Sequence, residues 1–346
     1  MTMKHLFPGQ SAPDIRACNA PVIARLQEAL RAAMNDVAPT GGDYAILDFP
    51  NHGNIGDSAI YLGELALCRQ HFGRSPALVT EANDDDLARI ARLNPDATLL
   101  LHGGGNFGDL YPRHQQFRDA VLRRFVDRRI VMMPQSIHFE NVANVAPSAA
   151  AIAAHPDFTM MVRDRSSLQF AEQHFACRVL LVPDMAFMLG AIAPPIRADL
   201  RVLGLMRKDK EAAISDNGDL ARLPQPAQIV DWPDEWKYPR KPDVLPDFLR
   251  RWLPPQVQGW KPASPAAFEW LANKRLQTGL TILARGQTVL TDRLHAHILC
   301  VLLGIGHVVL DNSYGKIKKF SDEWTQDSAF MRARSLAEAV DMLNAD

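Results

Sequence analysis

Two patterns of apolar residues alternate along the chain. Short apolar runs predict buried β-strands, and stretches with an apolar residue every three or four positions predict amphipathic helices. Strands are predicted at 44–49, 76–80, 97–102, 129–133, 158–163 and 178–182. Helices are predicted at 21–37, 57–72, 84–93, 114–127, 146–154 and 164–175. Strands that alternate with helices in this way indicate a parallel sheet covered on both faces.

A second α/β region is predicted after the double-proline segment 191–199. Its strands are predicted at 201–206, 228–231, 287–291 and 307–310, and its helices at 265–279, 293–303 and 334–344. Residues 221–268 are rich in Pro and Trp and predict a loop-dominated insertion. We therefore predict an N-terminal domain over 1–195 and a C-terminal domain over 196–346. Both are expected to be doubly wound and Rossmann-like, with a ligand cleft facing the carboxyl ends of their strands.

Composition narrows the class of protein. The chain has 346 residues, of which 47% are hydrophobic and 22% charged, as expected for an ordered globular protein. Its net charge of -1 argues against a nucleic-acid partner bound by bulk electrostatics. Four scattered cysteines, no apolar signal-peptide core and no membrane-length apolar run predict a cytoplasmic protein with reduced thiols.

Polar and glycine-rich segments follow the predicted strands. The carboxyl ends of parallel strands are where a doubly wound fold places its ligand site. These segments are NHGNIGD (51–57), HGGGNFGD (102–109), PQS (134–136), RDRSS (163–167), PDMAF (183–187) and TDRLHAH (291–297). We therefore expect their side chains to lie near one another.

The two glycine-rich loops, 51–57 and 102–109, suit an anionic ligand. Glycines let backbone N–H groups approach a ligand, and a helix N-terminus favours negative charge. Neither loop is a dinucleotide fingerprint or a P-loop. A tight turn is the alternative explanation for the glycines. Asp57 is a candidate catalytic carboxylate, with helix capping as its alternative role.

Basic residues at two strand ends are further candidates. Arg163 can bind a carboxylate or phosphate through two parallel hydrogen bonds, or it can pair with Asp164. Arg293 and His297 share a helical face if both are helical, whereas Arg293 and His295 share a side if the helix begins later. A histidine here can exchange protons near neutral pH. No HExxH or cysteine-rich spacing is present, so no metal is predicted.

The final basic segment is 311–320, in which Lys316, Lys318 and Lys319 follow a glycine turn. Lysines at such a turn can bind an anion or an acceptor, and a solvated helix start is the alternative. We therefore include Lys316 among the candidate substrate-binding residues.

The ordered set of motifs resembles the polysaccharide pyruvyl transferase family, over about residues 40 to 325 but not over 215–265. The motifs are NHGNIGDSAI (51–60), LLHGGGNFGDLYP (100–112), PQSIHF (134–139), VRDRSS (162–167), VPDMAF (182–187), TDRLHAHI (291–298) and DNSYGKIKKF (311–320). The resemblance implies a two-domain fold like that of B-type glycosyltransferases. It also implies phosphoenolpyruvate as donor substrate, without a cofactor, and transfer of pyruvate to a sugar as a ketal.

The resemblance also assigns residues. Arg163, and Arg293 with His295, match donor-binding positions, and Asp57 matches an acidic position that faces the site. We expect His295 to act as the acid and Asp57 as the base. The remaining predicted substrate-binding residues are Asn51, Asn54, Gly104, Gly105, Asn106, His297 and Lys316.

Two other functions would fit parts of this pattern. A B-type glycosyltransferase that uses a nucleotide sugar would share the architecture, and a non-enzymatic saccharide-binding scaffold would leave the Asp, His and Arg set without a purpose. The expected acceptor is an oligosaccharide or a lipid-linked saccharide of exopolysaccharide synthesis. With the basic patch at 316–319, a lipid-linked acceptor predicts peripheral contact at the inner face of the cytoplasmic membrane.

Overall fold

The computed structural model describes residues 12–207, 219–232, 264–311 and 315–345. In the first part of the chain the helices are α1 (Ala12–Val37), α2 (Ile55–Phe72), α3 (Asp84–Ile90), α4 (Pro112–Arg124), α5 (Val145–Ala153) and α6 (Arg165–His174). The strands are β1 (Tyr44–Leu47), β2 (Leu78–Val79), β3 (Thr98–Leu101), β4 (Gly104–Gly108), β5 (Ile130–His138), β6 (Phe158–Val162) and β7 (Arg178–Leu181). A 3₁₀ turn, Met185–Leu189, follows β7.

The later part of the chain repeats the alternation of strands and helices. Its strands are β8 (Leu200–Leu205), β9 (Ala227–Val230), β10 (Gly286–Thr291), β11 (Gly306–Leu310) and β12 (Met331–Ala333). Its helices are α7 (Pro265–Ala284), α8 (Leu294–Leu303), α9 (Lys316–Phe320) and α10 (Leu336–Asn344). Most of the predicted insertion at 221–268 lies outside the described residues.

The strands form two parallel sheets. The first sheet has the order β2-β1-β3-β5-β6-β7, with β4 paired to β5, and the second has the order β12-β11-β10-β8-β9. Every strand pairing among the described residues is parallel. This confirms the predicted α/β class with parallel sheets. The cleft and the likeness to B-type glycosyltransferases stay predictions.

Both faces of each sheet are covered by apolar residues. In β1, Ile46 belongs to a central core, whereas its neighbour Leu47 belongs to a second cluster on the opposite face. The central core also contains Leu203 of β8, while Val202 belongs to a third cluster beyond the second sheet. The central core therefore lies between the two sheets, and successive residues alternate between faces as strand geometry requires.

The glycine-rich segment 102–109, predicted as a loop, contains a strand. β5 is nine residues long; its first half pairs with β3 and its second half with β4. The segment PQS (134–136) therefore lies inside β5, not after it. Close backbone approach explains the glycines in part, because Gly108 has φ 131° and a Cβ there would overlap the carbonyl group of His138.

Helix α1 begins at Ala12, earlier than the predicted start at residue 21, and it contains Pro21. The prediction covered only the amphipathic stretch 21–37, and proline is ordinarily unfavourable inside a helix because it removes a hydrogen bond. Tertiary contacts hold the longer helix: the Asn19 side chain donates to the Val301 carbonyl in α8 at 3.0 Å. Helix α1 thus contacts the later part of the chain. The domain division at residue 195 stays a prediction.

Hydropathy along the helices bears on membrane insertion. Among the described helices, none has both the length and the apolar character that a bilayer crossing requires.

Candidate active site

A single carboxylate joins residues from the two sheets. Arg163 follows β6, Asp184 follows β7, and His295 lies in the first turn of α8 after β10. Nη1 of Arg163 donates to Oδ2 of Asp184 at 2.5 Å, and Nε2 of His295 lies 3.4 Å from the same oxygen. The structure therefore brings Arg163 and His295 together, as predicted, through an aspartate that was not among the predicted site residues.

Asp184 is held by its own backbone environment. It caps the 3₁₀ turn Met185–Leu189, and its Oδ1 accepts the Ala186 N–H at 2.9 Å. The residue is only 1% exposed. Burial works to raise the pKa of Asp184, but the close contact and charge of His295 together with Arg163 outweigh burial and hold that pKa well below its usual value. Asp184 is therefore an anion at neutral pH.

The guanidinium of Arg163 is fixed on several sides. Its Nε donates to Ser136 Oγ at 2.9 Å, and its backbone carbonyl accepts the indole N–H of Trp324 at 2.9 Å. Its Nη2 lies 3.0 Å from the position that a Cβ would occupy on Gly105. The missing side chain of Gly105 therefore leaves room for the guanidinium.

His295 packs against the first turn of α2. A Cβ on Gly56 would lie 2.5 Å from Cγ and 2.7 Å from Cβ of His295, which no side chain could tolerate without a shift. Gly56 is the second residue of α2, so the ring lies beside the N–H groups that a helix leaves unpaired at its start.

Asp57 also lies in this first turn. Its Oδ2 accepts from Nδ2 of Asn54 at 2.8 Å and lies 3.4 Å from Nε2 of His52. Its Oδ1 lies 3.6 Å from the position of a Cβ on Gly104. The Asp57 side chain is 19% exposed, so a ligand can reach it.

These contacts close into a ring, which we call the contact ring. Its members each touch the next, by a hydrogen bond, an ion pair, a close approach or the peptide chain. They are Gly56, Asp57, Gly104, Gly105, Arg163, Asp184 and His295. The predicted residues Asp57, Gly104, Gly105, Arg163 and His295 thus occupy one place in the fold.

Asn51 and Asn54 use their side-chain amides within the protein. Asn54 is the N-cap of α2, and its Oδ1 accepts the Gly56 N–H at 3.1 Å. Asn51 donates to Glu81 Oε1 at 3.0 Å and accepts from Nη2 of Arg275 at 3.0 Å. In this structure both asparagines fix the shape of the 51–57 loop.

Arg275 reaches this loop from α7. Its Nη1 donates to the Pro50 carbonyl at 2.9 Å, and burial lowers its pKa to about 10. A helix of the later part of the chain therefore helps to position the loop that carries Asp57.

Arg293 precedes α8 and does not share a helical face with later residues. It is the N-cap, with extended backbone, and its N–H donates to Thr291 Oγ1 at 3.1 Å. Its Nη2 forms an ion pair with Asp231, which follows β9. Arg293 therefore points toward β9, whereas His295 contacts the first sheet.

Asn106 belongs to a buried polar network beside the contact ring. Its Oδ1 accepts from Gln135 Nε2 at 3.0 Å and also from Nη2 of Arg118. Arg118 in turn donates to Oδ2 of Asp48 at 2.9 Å, and Asp48 has φ 70°, which is uncommon for a residue other than glycine. Asn106 and Arg118 thus link the end of β1 to the middle of β5.

His297 does not lie with the other predicted residues. It is fully buried, with Nδ1 2.7 Å from Nε2 of His307 and Nε2 2.8 Å from Thr325 Oγ1. Because both ring nitrogens have protein partners and no part of the ring reaches solvent, its position does not fit the predicted role in substrate binding. The i, i+4 argument failed because Arg293 lies outside the helix.

Lys316 is the first residue of α9, and its side chain lies outside the described residues. For metals, a search of the described ranges finds no group of three His, Cys, Asp or Glu side chains that could hold an ion.

The buried histidine pair predicts a pH-dependent stability. Burial lowers the pKa of His307 to about 4, and burial together with His307 and Arg332 holds the pKa of His297 well below its ordinary value. Below the ordinary pKa of histidine, the unfolded chain binds protons that the folded chain does not bind. The free energy of unfolding must therefore fall as pH falls. From the His307 shift alone we expect a loss of about 2 kcal/mol between pH ~7.5 and ~5.0, measured by urea denaturation.

The His307→Gln variant is the control for this effect. It removes one titrating group, so its stability should depend less on pH over the same interval. Equal pH dependence in the variant and the wild type would show that His307 is not responsible.

Sequence reasoning missed several residues of the site. Asp184 carried a usable signal, because it is an acidic residue directly after a buried strand. Arg275 and Glu64 carried none, because each lies in the middle of a helix where a charged residue ordinarily faces solvent. Glu64 is fully buried and binds His102 Nδ1 at 2.8 Å.

Comparisons with known proteins identify the family of the chain. The family model described as polysaccharide pyruvyl transferase matches residues 54–314. Pyruvyl transferase 1 of Schizosaccharomyces pombe is 31% identical over 316 residues, covering 86% of this chain and 73% of the relative. Putative pyruvyl transferase EpsO of Bacillus subtilis is 30% identical over 296 residues, covering 84% of this chain and 88% of the relative.

A solved structure shares the fold. An uncharacterised Klebsiella pneumoniae protein aligns with a TM-score of 0.56 at 16% identity, covering 89% of this chain and 99% of that protein. The matched range includes every member of the contact ring. The chain therefore belongs to the polysaccharide pyruvyl transferase family and is an enzyme of that family.

Proposed function

We propose that the protein transfers pyruvate from phosphoenolpyruvate to a saccharide, where it forms a ketal with two hydroxyl groups while phosphate is released. Membership of the family supports this class of reaction. The observation that carries the assignment to residues is the contact ring, which joins an arginine, a histidine and an accessible aspartate. Phosphoenolpyruvate is a substrate in this proposal, and no cofactor or metal takes part.

The donor's charge suits the basic residues of the site. Phosphoenolpyruvate carries a phosphate and a carboxylate, which arginine and helix N-termini favour. Arg163 offers Nη2 beside Gly105, since Asp184 and Ser136 occupy its other nitrogens. Arg293 lies at the start of α8, but its guanidinium is paired with Asp231, so binding of the donor by Arg293 requires it to turn from that carboxylate. The first turns of α2 and α8 contribute partial positive charge.

The reaction needs one acid and one base. His295 gives a proton to the methylene carbon, whose double-bond electron pair forms the new C–H bond and leaves a cationic carbon. A sugar hydroxyl attacks this carbon while Asp57 takes the hydroxyl proton. The C–O bond to phosphate then breaks, with its electron pair on phosphate, and the second hydroxyl attacks. One hydroxyl proton replaces the proton that His295 gave to the new methyl group. The other hydroxyl proton leaves with phosphate.

The acceptor we propose is a sugar of an exopolysaccharide or of its lipid-linked precursor. The family name implies a polysaccharide acceptor. A lipid-linked acceptor would bring the protein from the cytoplasm to the inner face of the cytoplasmic membrane as a peripheral contact. Exposed Lys318 and Lys319 on α9 are suited to anionic headgroups, so vesicle binding should weaken as salt is raised.

Incubation with phosphoenolpyruvate and a panel of oligosaccharides and methyl hexosides tests the proposal. We expect phosphate release that depends on a saccharide, and mass spectrometry should find one added pyruvate ketal on the acceptor. The Asp57→Asn variant should release phosphate far more slowly because it lacks the base.

A nucleotide sugar serves as the comparison ligand. Phosphoenolpyruvate should raise the melting temperature, whereas UDP-glucose should not, because a ligand stabilises only the protein that binds it. Stabilisation by UDP-glucose together with no effect of phosphoenolpyruvate would overturn the proposal in favour of a glycosyltransferase.

A further inference from the structure

We propose that Asp184 is a positioning residue that commits Nε2 of His295 to the protein and leaves Nδ1 as the nitrogen that exchanges a proton with the substrate. This inference rests on the transfer reaction proposed above. It goes further by naming the atom that performs the protonation step and the residue that selects it.

Access to the ring comes from one side. The His295 side chain is 12% exposed, yet its Nε2 is closed to solvent and lies 3.4 Å from Oδ2 of Asp184. The exposed part of the ring is therefore not Nε2. A substrate that meets a ring nitrogen of His295 must meet Nδ1.

Nδ1 lies over the start of α2. A Cβ on Gly56 would overlap Nδ1 and Cγ of His295, so this nitrogen faces the one position of the first turn that has no side chain. Asp57 is the next residue. The proposed acid and the proposed base therefore meet at the same helix N-terminus, where developing negative charge is stabilised.

One face of α2 sets the distance between the carboxylate and the ring. Gly56 and Gly63 are seven residues apart and share a helical face. A Cβ on Gly63 would lie 2.6 Å from the carbonyl carbon of Met185, the residue after Asp184. The His295 ring thus packs on α2 at Gly56, and the turn that begins at Asp184 packs on α2 at Gly63. Helix α2 therefore fixes the position of the ring relative to the carboxylate.

Asp184 is suited to select the nitrogen. Its carboxylate is negatively charged, cannot donate a hydrogen bond and lies 3.4 Å from Nε2, which favours a proton on Nε2 in the neutral as well as in the charged ring. In the charged ring, Nδ1–H is the proton given to the methylene carbon. In the neutral ring, the Nδ1 lone pair is free to accept a proton from a hydroxyl. Arg163 shares Oδ2, so the same carboxylate also orients the donor-binding cation.

Nitrogen NMR on the full chain tests the assignment without changing the site. With ¹⁵N-labelled histidine, and His295→Gln to identify the signals, the neutral ring should carry its proton on Nε2. A spectrum in which the neutral ring carries its proton on Nδ1 would overturn the proposal.

The Asp184→Asn variant tests the cause. Asparagine can present either an acceptor or a donor, so we expect a mixture of the two neutral ring forms and a kcat about tenfold lower. Asp184→Glu should restore the single form, because it restores the carboxylate. A single Nε2–H form in Asp184→Asn would show that Asp184 does not select the nitrogen.

Ser136→Ala is the matched control. It removes the contact of Arg163 with Ser136 and leaves His295 and Asp184 in place, so the ring form should not change. Failure of the proposed function is a separate outcome: wild-type protein that releases no phosphate from phosphoenolpyruvate refutes the reaction, whereas the NMR signals still report which nitrogen Asp184 holds.

Discussion

Replacing His295 with glutamine is expected to lower kcat by about 10²- to 10⁴-fold, the usual contribution of a positioned acid or base. Glutamine cannot give a proton to the methylene carbon at neutral pH. Binding of phosphoenolpyruvate should change much less, because Arg163 and the first turn of α2 remain to bind its charges. Turnover is measured as phosphate release, and donor affinity by isothermal titration calorimetry.

His174→Gln provides the comparison for this substitution. His174 is exposed at the end of α6, away from the contact ring, so turnover should be close to that of the wild type. Near-normal turnover of His295→Gln, with unchanged donor binding, would remove His295 from the role of acid.

Gly56→Ala is expected to lower kcat by roughly 10²-fold although it adds only a methyl group. The methyl carbon would lie 2.5 Å from Cγ and 2.7 Å from Cβ of His295, so the ring must move. A displacement of about 1 Å in a catalytic group can cost this much. The helix preference of alanine over glycine, up to about 1 kcal/mol, should offset part of the stability lost to this clash.

Gly204→Ala is the steric control for this variant. Its methyl group would overlap Cδ1 of Ile229, the flexible end of a side chain on β9 in the second sheet. A clash of the same kind away from the site should cost some stability but little turnover. Similar losses of kcat in both variants would show that Gly56 acts through general packing and not through His295.

The sequence predicted the fold well where local patterns decide it. The buried strands β1, β3 and β6 read as short apolar runs, and their parallel pairing follows from the helices between them. Strand β4 could not be predicted, because glycine and asparagine disfavour strands locally. It forms because the second half of β5 offers a free edge directly after β3, which is a long-range effect.

The candidate site was predictable as a set of strand ends but not as a set of contacts. Asp57, Arg163 and His295 were found because polar residues that follow buried strands indicate the ligand site of a doubly wound fold. The contacts among them could not be predicted from the sequence. The contact of Arg163 with His295 runs through Asp184 and joins segments that follow strands of different sheets. His297 shows the opposite limit, because its neighbour His307 is supplied by β11 and no local pattern reveals the pairing.

The polar residues that support the site were the hardest to predict. Arg275 and Glu64 lie in the middle of helices and are buried by tertiary packing. Their contacts with Asn51 and His102 decide the shape of both glycine-rich segments. A sequence pattern alone predicts that such residues are charges on the surface. Their role in supporting the site can be recognised only when the packing of the helices is known.

The central core between the sheets limits how the enzyme admits its substrates. Moving the sheets apart as rigid bodies would separate α2 from α7, where Ile55 packs against Gly279, and would wet part of the central core at about 25 cal/mol for each Å² exposed. Hinge opening is therefore costly. Entry of a large sugar chain and escape of phosphate are left to local rearrangement of the segments that follow the strands, so turnover should respond more to loop mobility than to the spacing of the two halves.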